Sequence, residues 1–189
     1  MHCTYLTRFY CCKNQRVRGC SVMKKILIVG IVASGKTTLA KKLSLRLDIP
    51  WFELDSIVHK RVEKQRIKQS PEEQMKEIDS INACGYWIFE GVYRASYHRL
   101  LDMADTIVFL DTPLWIRKYR IFARFIKQKL NVESCEYKPD LHMLKMMYKW
   151  TNDFERNRAD FATLLNEYRH KLIVISKPSQ LNKFFEFPY

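Results

Sequence analysis

From residue 23 onward the chain alternates short apolar runs with longer amphipathic stretches. The runs are Lys25–Val29, Pro50–Leu54, Tyr86–Phe89, Thr106–Leu110 and Leu172–Ile175, each four or five residues long and bounded by turns or charges. Runs of this length without polar alternation are the mark of strands covered on both faces, and therefore of a parallel sheet. Between them lie helical patterns over Thr37–Leu47, Pro71 to about Ala83, Arg94–Met103, about 114–130, about 141–168 and Ser179–Phe185. The second of the chain's prolines, Pro71, sits after Ser70 and before Glu72-Glu73, which reads as an N-cap, a proline at the first helical position and an acidic first turn. Residues 58–69 are charged and read as helical or mobile. Strands separated by helices define a doubly wound α/β sheet, and in such sheets a ligand binds beyond the carboxyl ends of the strands.

Those ends are polar. Asp55 follows the second strand, Glu90 the third, Asp111 the fourth and Ser176-Lys177 the fifth, while the first strand runs into Gly30-Ile31-Val32-Ala33-Ser34-Gly35-Lys36-Thr37. This is the Walker A pattern, G-x-x-x-x-G-K-[ST], in its strand-to-helix context. The glycines let successive backbone N–H groups curl around an anion, Lys36 brings a mobile charge to the β- and γ-phosphates, and Thr37 offers a hydroxyl to Mg²⁺. Gly30, Ala33, Ser34, Gly35, Lys36, Thr37 and Thr38 are the expected nucleotide contacts. The chain has only five glycines and two of them stand in this motif, so a chance match is a poor explanation.

Glu90 and Asp111 are placed to hold Mg²⁺ or its waters, since that ion prefers hard oxygen ligands. Both can also be read as solvated strand-end residues. Asp55, across the crevice from the loop, is placed to accept a proton from an attacking hydroxyl or to orient it; it also reads as the N-cap of a helix from residue 56. In the stretch after Pro113, the apolar residues Trp115, Tyr119, Phe122 and Ile126 recur at four, three and four residues, as on a helix that packs one face on a core. Arg117, Arg120, Arg124 and Lys127 share a neighbouring face, and no carboxylate lies between Asp111 and Glu133. Such a stripe either grips a phosphoryl group, for which arginine is well shaped, or is a solvated basic face.

Composition adds limits. The chain has 189 residues, enough for one domain, and charges interrupt every apolar run well short of a membrane span. The net charge of +13 fits a polyanionic partner, but falls to +9 when residues 1–22 are left out. That segment holds Cys3, Cys11, Cys12 and Cys20 and is basic and free of carboxylates. It reads as a disordered or non-native extension before a start at Met23; a transit peptide and a metal-binding tail are the other readings, although the cysteine spacings do not make zinc pairs. Residues 23–189 form the expected single domain. Past the tail only Cys84 and Cys135 remain, which places the chain in a reducing cytoplasm.

Gly30–Thr37, Glu90-Gly91-Val92-Tyr93-Arg94, and Pro113 followed by Arg120 and Arg124 resemble the adenylate-kinase-like nucleotide and small-molecule kinases. The stretches Phe52–Ile57, Tyr86–Tyr93 and Ala104–Asp111 are similar to those of the bacterial topology modulation proteins, which are P-loop proteins. The resemblance covers nearly all of the chain after Met23. It implies a three-layer P-loop NTPase fold with strand order 2-3-1-4-5 and a helical lid over about 124–158. It also implies that Arg120 and Arg124 clamp the triphosphate, that Asp55, Glu90, Gly91 and Arg94 face the acceptor, and that Arg156 or Arg158 enters from the lid. Glu90 stands where these kinases usually have aspartate, Tyr93 replaces their proline, and residues 56–70 carry no AMP-site motif.

The sequence is therefore read as an ATP- and Mg²⁺-dependent phosphotransferase with Lys36, Asp55, Arg120 and Arg124 as its catalytic residues and a small-molecule acceptor. The alternative is an ATP-dependent protein associated with nucleic acid. It is less favoured, because no helix-turn-helix or zinc-finger pattern is present and the patterned cations belong to the cleft. No membrane partner is expected, and the chain is expected to be monomeric.

Overall fold

The computed structural model describes residues 23–62, 65–130, 132, 140–177 and 180. The expectations for residues 1–22, for most of the closing helix over 179–185 and for the central part of the lid lie outside the described residues.

The five expected strands form, as do helices over the segments expected at 37–47, 71–83 and 114–130. The strands are β1 (Lys25–Gly30), β2 (Trp51–Glu53), the hairpin strands β3 (His59–Val62) and β4 (Gln65–Lys68), β5 (Trp87–Gly91), β6 (Thr106–Leu110) and β7 (Leu172–Ile175). The helices are α1 (Lys36–Leu47), α2 (Leu54–Val58), α3 (Pro71–Asn82), α4 (His98–Met103), α5 (Leu114–Lys129), α6 (Leu141–Arg156) and α7 (Arg158–Asn166). Five strands make a sheet in the order β2-β5-β1-β6-β7, with every pair parallel. The expected order 2-3-1-4-5 is renumbered by the antiparallel β3–β4 hairpin, which stands between the second and third strands of the sheet.

Alternate residues of each strand serve opposite faces of the sheet. Leu27 and Val29 join Trp87, Phe89, Ile107 and Phe109 beneath Ile57, Ile78, Leu100 and Leu165 of α2, α3, α4 and α7. Ile26 and Ile28 join Ile88, Val108 and Leu110 against Leu39, Ala40 and Leu43 of α1. Both faces are covered, which is why the strand runs carry no polar alternation. Each of these fully buried side chains contributes about 1.5–3 kcal/mol relative to exposure. Asp105, just before β6, accepts from the backbone N–H groups of Lys24 and Lys25 at 3.2 and 3.0 Å and fixes where β1 enters. At the start of α3, Ser70 Oγ accepts from the Glu73 N–H at 3.2 Å while the Glu73 carboxylate accepts from the Ser70 N–H at 2.8 Å, so the expected cap is a reciprocal capping box.

Four expectations are corrected. Residues 58–69, read as helical or mobile, form the end of α2 and the β3–β4 hairpin. The segment 94–103 opens with a 3₁₀ turn, Ala95–Tyr97, before α4. The stretch 141–168 is broken at Asn157, whose N–H donates to Asp153 O and Phe154 O, and the bend lets Phe154 and Phe161 meet Phe109. The largest correction concerns α5. Trp115 and Tyr119 are 73 % and 69 % exposed, and Phe122 and Ile126 also face solvent, whereas Arg117 is 1 % exposed. The cation turns inward because Glu155 of α6 forms an ion pair with it and the Phe154 ring lies 5.7 Å from its guanidinium carbon.

Tyr168, after α7, ties that end of the chain to α4. Its hydroxyl donates to Asp102 Oδ1 at 2.8 Å, and burial followed by this bond pushes the phenol pKa up to about 12. Tyr168→Phe is expected to lower the unfolding free energy by about 1–2 kcal/mol in urea titration, because the hydroxyl's bonds to Asp102 and His98 are lost and the ring stays in place.

Candidate nucleotide and acceptor site

The loop between β1 and α1 makes its turn through two left-handed residues, Ala33 at φ 60° and Gly35 at φ 103°. At Gly30 a side chain is excluded for a different reason: a Cβ there would lie 2.7 Å from Ser34 Oγ and 3.0 Å from Leu110 O. The outer rim of the loop is held from β6 and α5. Thr112 Oγ1 donates to Ser34 O at 2.9 Å, and Arg120 Nη1 donates to Ala33 O and Ser34 O at 3.2 and 3.0 Å. Sequence reading missed Thr112. The Asp111-Thr112-Pro113 turn was visible, but nothing local shows that its hydroxyl reaches a loop 78 residues earlier. Ser34 Oγ is buried and has no hydrogen-bond partner among the described residues. An orphaned hydroxyl in a loop at a helix N-terminus fits a ligand oxygen.

Lys36 Nζ donates to Ile31 O at 3.1 Å, folded back along the loop. Desolvation lowers its pKa below the ordinary lysine value, the negative charges of Glu90 and Asp55 oppose that shift, and the charge of Arg124 adds to it. Thr37 Oγ1 donates to Glu90 Oε1 at 2.7 Å. Glu90 is 2 % exposed. Burial raises its pKa above the ordinary glutamate value, and the Thr37 hydrogen bond and the Lys36 charge pull it back in part.

This shift makes a pH-dependent prediction. A glutamate that titrates higher in the folded chain than in the unfolded one gives stability at acid pH that is lost as pH rises from the ordinary value through the folded one. Glu90→Gln keeps the shape and the acceptor for Thr37 while removing the charge. Its thermal midpoint is expected to exceed the parent's at neutral pH, with the gap closing at about pH 4; the measurement is a melting series across that range.

On the other side of the crevice, Asp55 lies in the first turn of α2. The residue preceding that helix is Glu53, so Asp55 is not a helix cap. Arg94 Nη2 donates to Asp55 Oδ1 at 2.8 Å, and both side chains are about half exposed, at 42 % and 47 %. Gly91 brings β5 close to α2: a Cβ there would lie 2.9 Å from Leu54 Cβ. Asp55 acts electrostatically on both Lys36 and Glu90, so this carboxylate and the loop share one field.

The remaining expected residues are placed differently. Arg158, at the start of α7, forms an ion pair with Asp111 and lies 3.7 Å from Glu155, which sets Asp111 apart from the Thr37–Glu90 pair. Arg156 is 79 % exposed and pairs with Asp153 at 3.5 Å, on its own helix. Arg124 is exposed on α5 and lines a groove between α5 and α6 together with Asp140. Thr38 is exposed on the first turn of α1. Among the described residues no group of three or more His, Cys, Asp or Glu side chains is placed to hold a metal alone. The hard oxygens beside the loop are those of Thr37 and Glu90, a set that suits Mg²⁺ when phosphate oxygens and water complete its shell.

A parallel sheet whose first strand turns through a glycine-rich loop into the first helix is a P-loop α/β fold. No family model matches the chain. It is 40 % identical over 42 residues to the shikimate kinase of Flavobacterium psychrophilum, covering 22 % of this chain and about a quarter, 24 %, of that protein. Among solved structures it is similar to shikimate kinase from Acinetobacter baumannii in complex with shikimate, at 16 % identity and TM-score 0.49 over 87 % of this chain and 94 % of that one. Shikimate kinase from Bacteroides thetaiotaomicron gives 16 % and 0.48 over 88 % and 100 %, and a gluconokinase from Sinorhizobium meliloti 14 % and 0.46 over 82 % of each chain. No helix among the described residues is long and apolar enough to cross a membrane.

Proposed function

We propose that this chain is an ATP-dependent phosphotransferase that acts on a small hydroxyl-bearing acceptor. What supports the reading is the Lys36–Thr37–Glu90 cluster at the loop together with the Asp55–Arg94 pair, whose carboxylate acts electrostatically on Lys36 and Glu90. When bound, Mg-ATP supplies the phosphoryl group and the metal charge that neutralises it. Ser34, Lys36 and the N-terminus of α1 bind the phosphates, and Thr37 and Glu90 hold the metal or its waters. Arg120 keeps the loop in shape and Arg124 adds charge beside it.

Asp55 takes the proton of the acceptor hydroxyl. One of its oxygens accepts from Arg94, but a carboxylate has about four lone-pair positions, so capacity for the hydroxyl remains. Arg94 both orients Asp55 and offers its other N–H groups to polar or anionic groups on the acceptor. The short match to a shikimate kinase supports a hydroxylated carboxylic acid or a sugar-like compound as the acceptor class. The likeness to bacterial topology modulation proteins belongs to the same reading, as P-loop proteins with this loop and these strand ends. A nucleic-acid partner has less behind it, because Arg94, Arg117, Arg120 and Arg158 are engaged within the protein.

The test is a panel of hydroxy acids, sugars, nucleosides and nucleotides incubated with the chain, ATP and Mg²⁺ and read by mass spectrometry. A product heavier by one phosphoryl group supports the reading. ATP turnover without any phosphorylated product contradicts it.

A further inference from the structure

The outward face of α5 takes no part in the site. Trp115, Tyr119, Phe122, Ile126 and Leu130 recur at four, three, four and four residues and are 73 %, 69 %, 49 %, 40 % and 68 % exposed, and Val132 beyond the helix is 73 % exposed. At about 1.5 Å per residue the helical part of this stripe runs about 22 Å along the surface. A continuous apolar strip of that kind marks a contact surface, whereas apolar residues scattered singly do not.

Its rim is cationic. At about 100° per residue, Lys118 and Lys129 fall along one edge and Lys127 along the other, and no carboxylate occurs from residue 112 to residue 132. A second copy docked through the same stripe would set these lysines against each other. The residue types favour lipid over a protein helix: Trp and Tyr rings have an apolar body and a polar tip, and lysine stems lie along apolar surface with the ammonium in water. We propose that α5 lies along an anionic phospholipid surface, with the stripe at the boundary of headgroups and acyl chains and the lysines at the phosphates. The contact is peripheral, and because Arg120 reaches the loop from another side of α5, the crevice stays open.

The test uses the full chain with vesicles of phosphatidylcholine containing about a quarter phosphatidylglycerol, and with phosphatidylcholine alone, read by flotation. Binding to the anionic vesicles is expected, with binding to the neutral ones weaker by about twentyfold or more, and loss at high salt. Phe122→Ser with Ile126→Ser should lower partitioning at least about tenfold, with an unchanged melting temperature. Lys127→Gln with Lys129→Gln should lower it about twentyfold. Tryptophan emission should shift to the blue on vesicles in the parent, with most of the shift missing from Trp115→Phe. The inference is overturned by absence of binding to anionic vesicles, by equal binding of the serine pair, or by the same emission shift in Trp115→Phe. It is overturned as well if the stripe instead drives dimerisation in sedimentation or captures an acidic protein without lipid binding.

Discussion

Lys36→Ala is expected to reduce phosphoryl transfer about a thousandfold or more while leaving the fold intact. The ammonium donates to Ile31 O and feels the charges of Glu90 and Asp55; on the proposed function it is the charge that meets the negative charge developing during transfer. The stability effect has the opposite sign from the catalytic one. Desolvation lowers the Lys36 pKa, so the folded chain disfavours the charged form, and removing it gives a melting temperature equal to or slightly above the parent's. A variant that keeps its turnover would show that the loop is not the catalytic phosphate site. One that merely unfolds would be recognised in the melting curve.

Asp55→Asn is the second large effect. Asparagine still offers an oxygen to Arg94, so the 2.8 Å contact is retained in kind, but it cannot take a proton. If Asp55 is the base, kcat falls about 10²- to 10⁴-fold with nucleotide affinity unchanged. If it serves only to place Arg94, asparagine does that work and kcat stays near the parent value. Single-turnover rates together with a nucleotide titration separate the two.

Much of this site was legible because it depends on local patterns. The loop is written in consecutive residues, Gly30 to Thr37, and the strand-end carboxylates follow apolar runs that only a buried parallel strand explains. The β3–β4 hairpin was hidden because its strands are basic and its turn lacks a glycine or asparagine signal. The fault over α5 is more instructive. The sequence shows an apolar stripe and a cationic stripe on one helix, and hydrophobicity predicts that the first is inside. In the fold, Arg117 is inside because Glu155, 38 residues further on, meets it. That partner belongs to another helix, and periodicity along one segment carries no information about it. Thr112 escaped for the same reason, since its acceptor is the carbonyl of Ser34. Asp111 was legible as a strand-end carboxylate, but its partner Arg158 lies beyond the break at Asn157, which the long helical pattern of 141–168 concealed.

On the proposed function, the terminal phosphoryl group of ATP passes to a hydroxyl bound beside Asp55. The most direct measurement follows label from γ-labelled ATP with Mg²⁺ in the full chain, its Lys36→Ala variant and its Asp55→Asn variant, with a pool of small hydroxyl compounds. Label is expected in a small-molecule product with the parent chain and almost none with either variant. Label released only as inorganic phosphate by the parent, or transferred equally by the Asp55→Asn variant, would contradict it.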